Sequence, residues 1–288
     1  MASVNVQARL TALPLPERAY LPGHGRPEPY PRRLAACEDA DWGRDAPYLE
    51  GLDLLVAGYP WEAHERLEAV WRVWPVGGLR KHAQALIHAA ACEVHLRRGR
   101  LDAAVGQAGK AAAIWGDVLL TQGPWLGLCD LAAWQLAVTA VAQGASAVAW
   151  PRVPKPLHVV GGVGFRQGRV LAMRRAPGRS DGGRWEFPGG KVEAGESEPT
   201  ALSRELEEEL GWSVLVRQPV TAVGVDRQVG GMRLALWLVE VPGTPPALRD
   251  HDAACWVSRE EALGLAWVPA DVVLAQRVVA AWDALAAM

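Results

Sequence analysis

The sequence is poor in cysteine, in net charge and in long uninterrupted apolar runs. Its 288 residues include four cysteines and carry a formal net charge of −2. Cys37, Cys92, Cys129 and Cys255 are far apart and form no C-x-x-C pair. This spacing excludes a small disulfide framework and disfavours a zinc site, so we expect reduced thiols in a cytoplasmic protein. The near-neutral charge provides no basic field for a nucleic-acid polymer or an anionic membrane.

Signals for export and for membrane insertion are also missing. The first stretch, MASVNVQARLTALPLPERAY, lacks the basic start and continuous apolar region of a signal peptide. The most apolar region, residues 126–150, is interrupted by Asp130, Gln135 and Gln143. It therefore predicts a buried helix rather than a membrane span, and we expect no membrane partner.

The chain is long enough for two domains, and its two halves differ in pattern. Apolar residues recur at helical spacing in five segments of the first half, 46–58, 60–74, 80–98, 101–119 and 125–143. Glycine and proline separate these segments by short connections, which imply antiparallel neighbours. We predict an all-α helical bundle over residues 1–145.

The pattern changes at a proline-containing segment, residues 146–156, which we interpret as a linker. Strand-like runs follow it: HVVGGVGF, GRVLAMRR and, later, RLALWLVEV. A helical segment at 198–211 lies among them and a last helix is expected near 270–287. Residues 157–288 therefore predict an α/β domain, a mixed sheet sandwiched between helices.

The strongest chemical signal is the segment WEFPGGKVEAGESEPTALSRELEEELGW, Trp185 to Trp212. On a helix, Glu205, Glu208 and Glu209 share an arc of about 100° beside a leucine stripe, whereas Glu207 points elsewhere. Neighbouring carboxylates repel one another unless a cation lies among them, and Mg²⁺ prefers such oxygen ligands. The segment thus predicts a divalent-cation site, with a solvated acidic helix face as the alternative.

Residues before this helix fit the same interpretation. The Gly189–Gly190 pair permits close approach of the backbone and exposes carbonyl groups beside the carboxylates. Ser197 fits an N-cap, and Pro199 in the first turn loses no helical hydrogen bond.

The segment resembles the signature of the Nudix hydrolase family, G-x5-E-x7-R-E-U-x-E-E-x-G-U, in which U is a bulky aliphatic or aromatic residue. Every position is filled, by Gly190, Glu196, Arg204, Glu205, Leu206, Glu208, Glu209, Gly211 and Trp212. The resemblance extends over the C-terminal half and implies a Nudix fold there.

The resemblance implies a set of metal ligands. Glu205, Glu208 and Glu209 would bind Mg²⁺, for which Mn²⁺ can substitute, with help from the carbonyl of Gly189. Asp250, in RDHDAACWV, matches the place of an additional acidic ligand in related enzymes. A solvated loop aspartate is an equal alternative for Asp250.

The resemblance also implies a catalytic arrangement. Arg204 and Glu196 would orient the glycine loop and the helix by contacts behind the metal ligands. A metal-bound water would attack phosphorus while a carboxylate takes its proton, and Glu205 and Glu209 are the candidate bases.

Three further stretches, MRRA, WEFPGGKVE and WVPAD, resemble the MutT-type branch. Enzymes of this branch hydrolyse nucleoside triphosphates, often oxidised ones, to the monophosphate and pyrophosphate. The resemblance implies that Arg175 lies near the base or sugar and that Phe187 lines the base pocket. A surface arginine and a core phenylalanine are the structural alternatives.

Asp271 departs from the best-known 8-oxo-dGTP enzymes, which have asparagine at that place. An ionised carboxylate only accepts hydrogen bonds, so it suits the exocyclic amino group of cytosine or adenine. The related branch acting on CTP and modified dCTP carries the same PAD sequence. We therefore predict a broad nucleoside triphosphate pyrophosphohydrolase; structurally, Asp271 could instead cap the last helix.

The N-terminal half resembles the bacterial domain-of-unknown-function family 309, in YLEGLDLLVAGYPWEAHERLEAVW, in QALIHAAACEVHLRRGRLDAAVGQAGKA and in LPGHGRP. His64 and Glu68 share a face of one helix, and Gln84 and His88 share a face of the next. If those faces meet, the four side chains form a buried polar cluster. This predicts either a second metal or hydrolytic site or a hydrogen-bonded packing network.

One main functional hypothesis and two alternatives follow. The main one is a Mg²⁺-dependent enzyme acting on a nucleotide, with a helical domain that binds a protein partner or forms a homodimer. The alternatives are a nucleotide-sensing regulator and an enzyme acting on another nucleoside diphosphate derivative. The intact signature favours an enzyme, because a sensor has no need of every catalytic carboxylate.

Overall fold

The computed structural model describes residues 9–11, 13–23, 41–226, 231–243 and 246–287. Cys37 and most of LPGHGRP lie outside the described residues. The chain divides into two compact units, one of Met1–Pro156 with Asp226–Gly231, the other of Leu157–Val225 with Met232–Met288. Within the described residues, no helix combines the length and apolar character that a membrane crossing requires.

The first unit is helical. Its elements are α1 (Ala46–Val56), α2 (Pro60–Val73), α3 (Gly78–Arg97), α4 (Leu101–Gln122), β1 (Trp125–Leu126), β2 (Cys129–Asp130) and α5 (Leu131–Ala142). Consecutive helices pack against each other. Asp45 caps α1 by accepting from the Tyr48 N–H at 2.9 Å, and Asp130 caps α5 by accepting from the Ala133 N–H at 3.1 Å. The predicted helical bundle is therefore confirmed.

The fifth predicted helix, 125–143, is wrong at its start. Residues 125–130 form a small hairpin of β1 and β2 instead. The turn needs Gly127 and Leu128 at φ of 57° and 70°, a left-handed pair that interrupts a helix. Tyr48 Oη donates to the Gly127 carbonyl at 2.5 Å, and a Cβ on Gly127 would lie 2.2 Å from that hydroxyl.

The interior of the helical unit holds a directed hydrogen-bond chain. Trp115 Nε1 donates to His82 Nδ1 at 2.9 Å, so the ring proton is on Nε2, 3.2 Å from Tyr48 Oη. Burial lowers the pKa of His82 to about 3, which keeps the imidazole neutral. The chain satisfies buried polar groups and has a structural role.

The segment that follows α5 packs onto the helical unit. Trp150 stacks on Trp134 with ring centroids 5.3 Å apart, and its indole N–H donates to Glu93 at 2.5 Å. Val153 is 2% exposed and belongs to the same core. Val148, Trp150 and Val153, from the segment interpreted as a linker, therefore pack against the core of the helical unit.

The second unit is built on a sheet. Its strands are β3 (Leu157–Arg166), β4 (Arg169–Arg175), β5 (Trp185–Glu186), β6 (Gly189–Lys191), β7 (Leu215–Asp226), β8 (Gly231–Glu240) and β9 (His251–Val257). The main order is β5-β4-β3-β8-β7, with β6 pairing β3 and β9 pairing β4. Strands β3 and β8 are parallel, whereas β3–β4, β3–β6, β4–β5 and β4–β9 are antiparallel. The sheet is mixed, as predicted.

Helices cover both faces of this sheet. They are α6 (Glu198–Leu210), α7 (Arg259–Gly264), α8 (Pro269–Ala280) and α9 (Trp282–Ala286). Strand β4 shows the alternation: Val170 and Ala172 pack in the core that contains α8, while Leu171 and Met173 pack in the core that contains α6. The predicted sandwich of a mixed sheet between helices is confirmed.

Candidate functional site

Helix α6 has defined ends and one buried face. Ser197 accepts from the Thr200 N–H at 3.3 Å, and Gly211 ends the helix in the left-handed conformation at φ 66°. Three leucines with at most 1% exposure anchor the helix to the sheet: Leu202, Leu206 and Leu210. Each contributes about 1.5–3 kcal/mol by burial, which holds the acidic face in one orientation.

The glycine pair of β6 lies against that acidic face. A Cβ on Gly190 would be 2.2 Å from the carboxyl carbon of Glu205, so this carboxylate rests directly on the backbone. A Cβ on Gly189 would be 2.1 Å from the carbonyl oxygen of Val160 on the neighbouring β3. Both positions therefore require glycine, because a side chain at either one would collide with these neighbours.

Arg204 connects the elements around this site. Its Nε and Nη2 donate to the two oxygens of Glu196, both at 3.0 Å, and Nη1 donates to Glu205 at 2.9 Å. Nη2 also donates to the Lys191 carbonyl at 3.0 Å. The hydrogen bonds from Arg204, followed by the Glu193 N–H, lower the pKa of Glu196. Such bidentate, charge-assisted bonds are the geometry expected of positioning residues.

Glu209 is partly buried and carries an unsatisfied oxygen. Its Oε2 is buried and has no hydrogen-bond partner among the described residues. Burial, opposed by His251 and reinforced by Glu205, Glu186 and Asp250, raises the pKa of Glu209 to about 7. An orphaned oxygen amid excess negative charge fits a hard cation, so this donor set suits Mg²⁺ or Mn²⁺.

The three glutamates of α6 differ in their surroundings. Glu205 is held by Arg204, Glu209 points into a partly buried position, and Glu208 is exposed. In the part of the chain that the structure describes, they form no group whose ligand atoms all lie within 4.8 Å of one another. Asp250 is engaged by Arg179 and lies close enough to Glu209 to influence its pKa.

Two polar residues that the sequence did not single out lie beside these carboxylates. Glu186 accepts from Arg175 Nη1 at 2.6 Å and pairs with His251 Nε2 at 2.8 Å. The His251 side chain is 2% exposed, and its Nδ1 has no hydrogen-bond partner among the described residues. Adjacency was the available signal, since Glu186 precedes Phe187 and His251 follows Asp250.

Phe187 and Asp271 are both buried. Phe187 is 6% exposed and stacks on Trp267, with ring centroids 4.8 Å apart and planes 17° apart. The Phe187 backbone N–H donates to the Asp271 carboxyl. Helix α8 has Val268 at its N-cap and no side-chain cap, so Asp271 does not cap it.

The surroundings of Asp271 favour the protonated form of its carboxyl group. Burial and the nearby Glu186, opposed by the Phe187 N–H and Arg175, together raise the pKa of Asp271 to about 8. The carboxyl is therefore mainly protonated at neutral pH. A protonated carboxyl donates as well as accepts a hydrogen bond, unlike the acceptor-only carboxylate that the sequence suggested.

The polar residues singled out in the helical half do not form a buried cluster. His64, Glu68, Gln84 and His88 are each only partly buried. His88 Nδ1 pairs with Gln107 Oε1 at 2.7 Å. His64 and Glu68 instead come together with a neighbour on α2, and the ligand atoms of His64, Glu65 and Glu68 all lie within 4.8 Å.

Comparisons with known proteins agree with this division. The model of the NUDIX domain matches residues 156–282, and the model of a domain of unknown function (DUF309) matches residues 48–107. A Mycobacterium tuberculosis protein provisionally named 8-oxo-dGTP diphosphatase 2 is 45% identical over 114 residues, which cover 39% of this chain and 81% of that protein. The CTP pyrophosphohydrolase of Escherichia coli is 38% identical over 128 residues, 44% of this chain and 93% of that enzyme.

Among solved structures, the solution structure of the E. coli ORF135 protein is 37% identical, with a TM-score of 0.39. It covers 45% of this chain and 93% of that chain. The NUDIX model and these relatives thus agree on the C-terminal half, through which this chain belongs to the Nudix hydrolase family.

Proposed function

We propose that the C-terminal unit is a Mg²⁺-dependent nucleoside triphosphate diphosphatase, which hydrolyses NTPs or dNTPs, including oxidised or modified ones, to the monophosphate and pyrophosphate. Relatives named for 8-oxo-dGTP and CTP support this substrate class. The observation that carries the proposal is the surroundings of α6. The Glu205 carboxylate rests on Gly190 and is held by Arg204, and one Glu209 oxygen is buried with no hydrogen-bond partner among the described residues.

In this proposal the cation is held by oxygens. Its ligands would be Glu205, Glu208 and Glu209 with the Gly189 carbonyl, joined by Asp250. The bound ion would neutralise phosphate charge and acidify a water molecule. Mn²⁺ would substitute for Mg²⁺, because both accept carboxylate and carbonyl oxygens.

Residues of the chain perform the remaining tasks. Glu205 or Glu209 takes the proton as a water oxygen bonds to phosphorus and the phosphoanhydride bond to the leaving group breaks. Arg204 keeps Glu205 in place, because it is itself fixed by both oxygens of Glu196. A carboxylate base held in this way needs little reorganisation during the reaction.

The base pocket would be formed around Arg175, Phe187 and Asp271. A protonated Asp271 both donates and accepts, so it can serve nucleobase edges of different hydrogen-bonding pattern. This supports a broad range of bases rather than a single one. The stack of Phe187 on Trp267 makes Phe187 a rigid, largely buried wall of the pocket.

The test is pyrophosphate release from 8-oxo-dGTP, dGTP, CTP, 5-methyl-dCTP and dATP, and AMP formation from ADP-ribose, each with Mg²⁺. Wild type is compared with Glu208→Gln and with Glu207→Gln, a matched control one position earlier on the same helix. We expect triphosphate turnover in wild type and control and its loss in Glu208→Gln. Preference for ADP-ribose would indicate another nucleoside diphosphate derivative. Nucleotide binding by folded protein without turnover of any compound would favour a nucleotide sensor.

We further propose that the helical unit is a module for a protein partner or a second copy of this chain. Its apolar side chains with substantial exposure include Leu101, Leu120 and Leu136, at 50%, 89% and 71%. Leu120 is the most exposed of the three, so its replacement is the variant used in the test. The molecular mass in solution of wild type and of Leu120→Ser tests this proposal. A wild-type mass equal to that of one chain would contradict the homodimer.

A further inference from the structure

Glu186 uses both carboxylate oxygens on residues from two other strands. Oε2 accepts from Arg175 Nη1 at 2.6 Å, and Oε1 pairs with His251 Nε2 at 2.8 Å. Because a carboxylate accepts hydrogen bonds, His251 carries its ring proton on Nε2 in this pair. The Glu186 side chain is 17% exposed and that of His251 is 2% exposed, so solvent screens these bonds little.

This carboxylate lies between the two ends of the proposed site. On one side Glu186 and Arg175 both act electrostatically on Asp271. On the other side Glu186 and His251 both act on Glu209. Glu186 is therefore a charged neighbour of the base pocket and of the cation-binding helix at the same time.

Strand pairing explains why these side chains meet. Strand β4 pairs with both β5 and β9, and the β4–β9 register shifts between Arg174 and Arg175. The shift places Arg175 opposite His251, whereas Arg174 turns to Asp252 and donates to it at 2.7 Å. A bulge is a common means of re-aiming one side chain towards a site.

We propose that Glu186 is a positioning residue, which holds Arg175 and His251 with its two oxygens and thereby couples the seating of the nucleobase to the alignment of the α6 carboxylates. This inference rests on the proposed function and deepens it. Arg175 is a permanent cation and only donates hydrogen bonds. The Nε2–H of His251 also donates to Glu186. Both donors need an acceptor in a place that water reaches poorly.

The test replaces one of the two acceptors while keeping the shape of the side chain. Glu186→Gln leaves one carbonyl oxygen and adds an amide that cannot accept from Arg175 or His251. Glu186→Asp keeps two acceptors on a shorter stem and serves as the conservative variant. Asp252→Asn is the matched control, because it removes the same charge from the exposed Arg174 pair on the same strands.

We expect Glu186→Gln to lower kcat/KM by about 10–100-fold, the usual effect of removing a group that orients a metal site. Both KM and kcat should change, because the base end and the carboxylate end lose alignment together. Glu186→Asp should recover part of the loss, and Asp252→Asn should stay near wild type. Equal kinetics for Glu186→Gln and wild type would overturn the inference.

A second measurement separates positioning from damage to the fold. Glu186 and Arg175 face Asp271 with opposite charges, beside the Phe187 N–H. Removing the Glu186 charge should therefore lower the pH at which the preference between 8-oxo-dGTP and CTP changes. A fall in melting temperature with an unmoved pH midpoint would mean a structural role only and would contradict the proposal.

Failure of the proposed function is recognised separately. If wild type turns over no triphosphate, that function is wrong, and the same variants are compared by equilibrium binding of Mn²⁺ and of a non-hydrolysable CTP analogue. If Glu186 couples the base pocket to the α6 carboxylates, Glu186→Gln should weaken the binding of Mn²⁺ and of the CTP analogue. Unchanged binding of both probes would then overturn the inference as well.

Discussion

Helices α2 and α6 both carry clusters of metal-type ligands, but they are built differently. The ligand atoms of His64, Glu65 and Glu68 on α2 lie within 4.8 Å of one another. Those of the α6 glutamates form no such group in the described part of the chain. Proximity alone would therefore select α2.

The surroundings of the two helices reverse that ranking. His64 and Glu65 lie four and three positions before Glu68, and side chains at these spacings are neighbours on any helix. On α2, Glu68 is engaged by Arg72 at 2.7 Å and the side chain of Glu65 is 50% exposed. On α6, separate elements hold the ligands: the glycine strand lies under Glu205, and Arg204 ties the helix to the preceding loop. Contacts of this kind, from elements outside the helix, hold ligand side chains in place and are expected of a metal site.

The largest effect is expected from Glu209→Gln, which removes a charged ligand and a candidate base. We expect kcat to fall about 10²–10⁴-fold, the usual contribution of a general base. Steady-state pyrophosphate release with Mg²⁺ measures it. Glu207→Gln, exposed on the same helix, should keep wild-type kcat. Similar losses in both variants would mean that α6 is sensitive to charge in general.

Arg204→Lys should have the next largest effect. Lysine cannot make the bidentate bond to Glu196 and reach Glu205 as well, so the carboxylate loses its support. We expect Mn²⁺ affinity and kcat to fall about 10–100-fold. Arg217→Lys is the control, since the Arg217–Glu240 pair is exposed. Unchanged Mn²⁺ affinity in Arg204→Lys would show that the contacts of Arg204 do not define the α6 site.

Glu198→Gln should reduce stability, because Glu198 ties the start of α6 to the sheet. It accepts from Trp237 Nε1 at 2.6 Å and pairs with His158 Nε2 at 2.8 Å. Burial opposes ionisation, but the bonds from His158, Arg233 and Trp237 outweigh it and lower the pKa of Glu198 to about 2. By contrast, the start of helix α2 has no hydrogen bond from an N-cap side chain.

The sign of the pH effect follows from the lowered pKa. The ionised Glu198 stabilises the folded state fully above the ordinary glutamate pKa of about 4.3, and this contribution is lost as the pH falls towards 2. Melting temperatures of wild type and Glu198→Gln should therefore differ at pH 7 and converge near pH 2. A difference that is constant with pH would show that packing, not charge, anchors the helix.

The smallest effect is expected from His64→Gln. If a metal site needs contacts from other elements, the α2 cluster is not one. His64→Gln should then keep the tight Mn²⁺ site and the turnover of wild type. Mn²⁺ titration followed by paramagnetic resonance measures the number of tight sites, with Glu209→Gln as the counterpart that loses one. Loss of a tight site in His64→Gln would establish the second metal site predicted for the helical half.

Elements with a regular pattern could be predicted from the sequence. The helical bundle, the three apolar strands and α6 follow apolar periodicity, and the fold class derived from them is confirmed. Strands β7 and β9 and helix α7 were missed. Strand β7 contains Arg217, Gln218 and Pro219 and lies at the end of the main strand order, where proline costs no central ladder bond. Its polar interior hides the strand pattern.

By itself, the sequence determined the family, the glycine pair and the linear spacing that brings Glu196, Arg204 and Glu205 together, because a loop and one helix settle these relations locally. Only the tertiary structure decided which oxygen of Glu209 is buried without a partner among the described residues, and that Glu186 meets His251. It alone also decided that the pKa of Asp271 is raised by burial. Burial and strand register set these properties, and both depend on segments far apart in the chain.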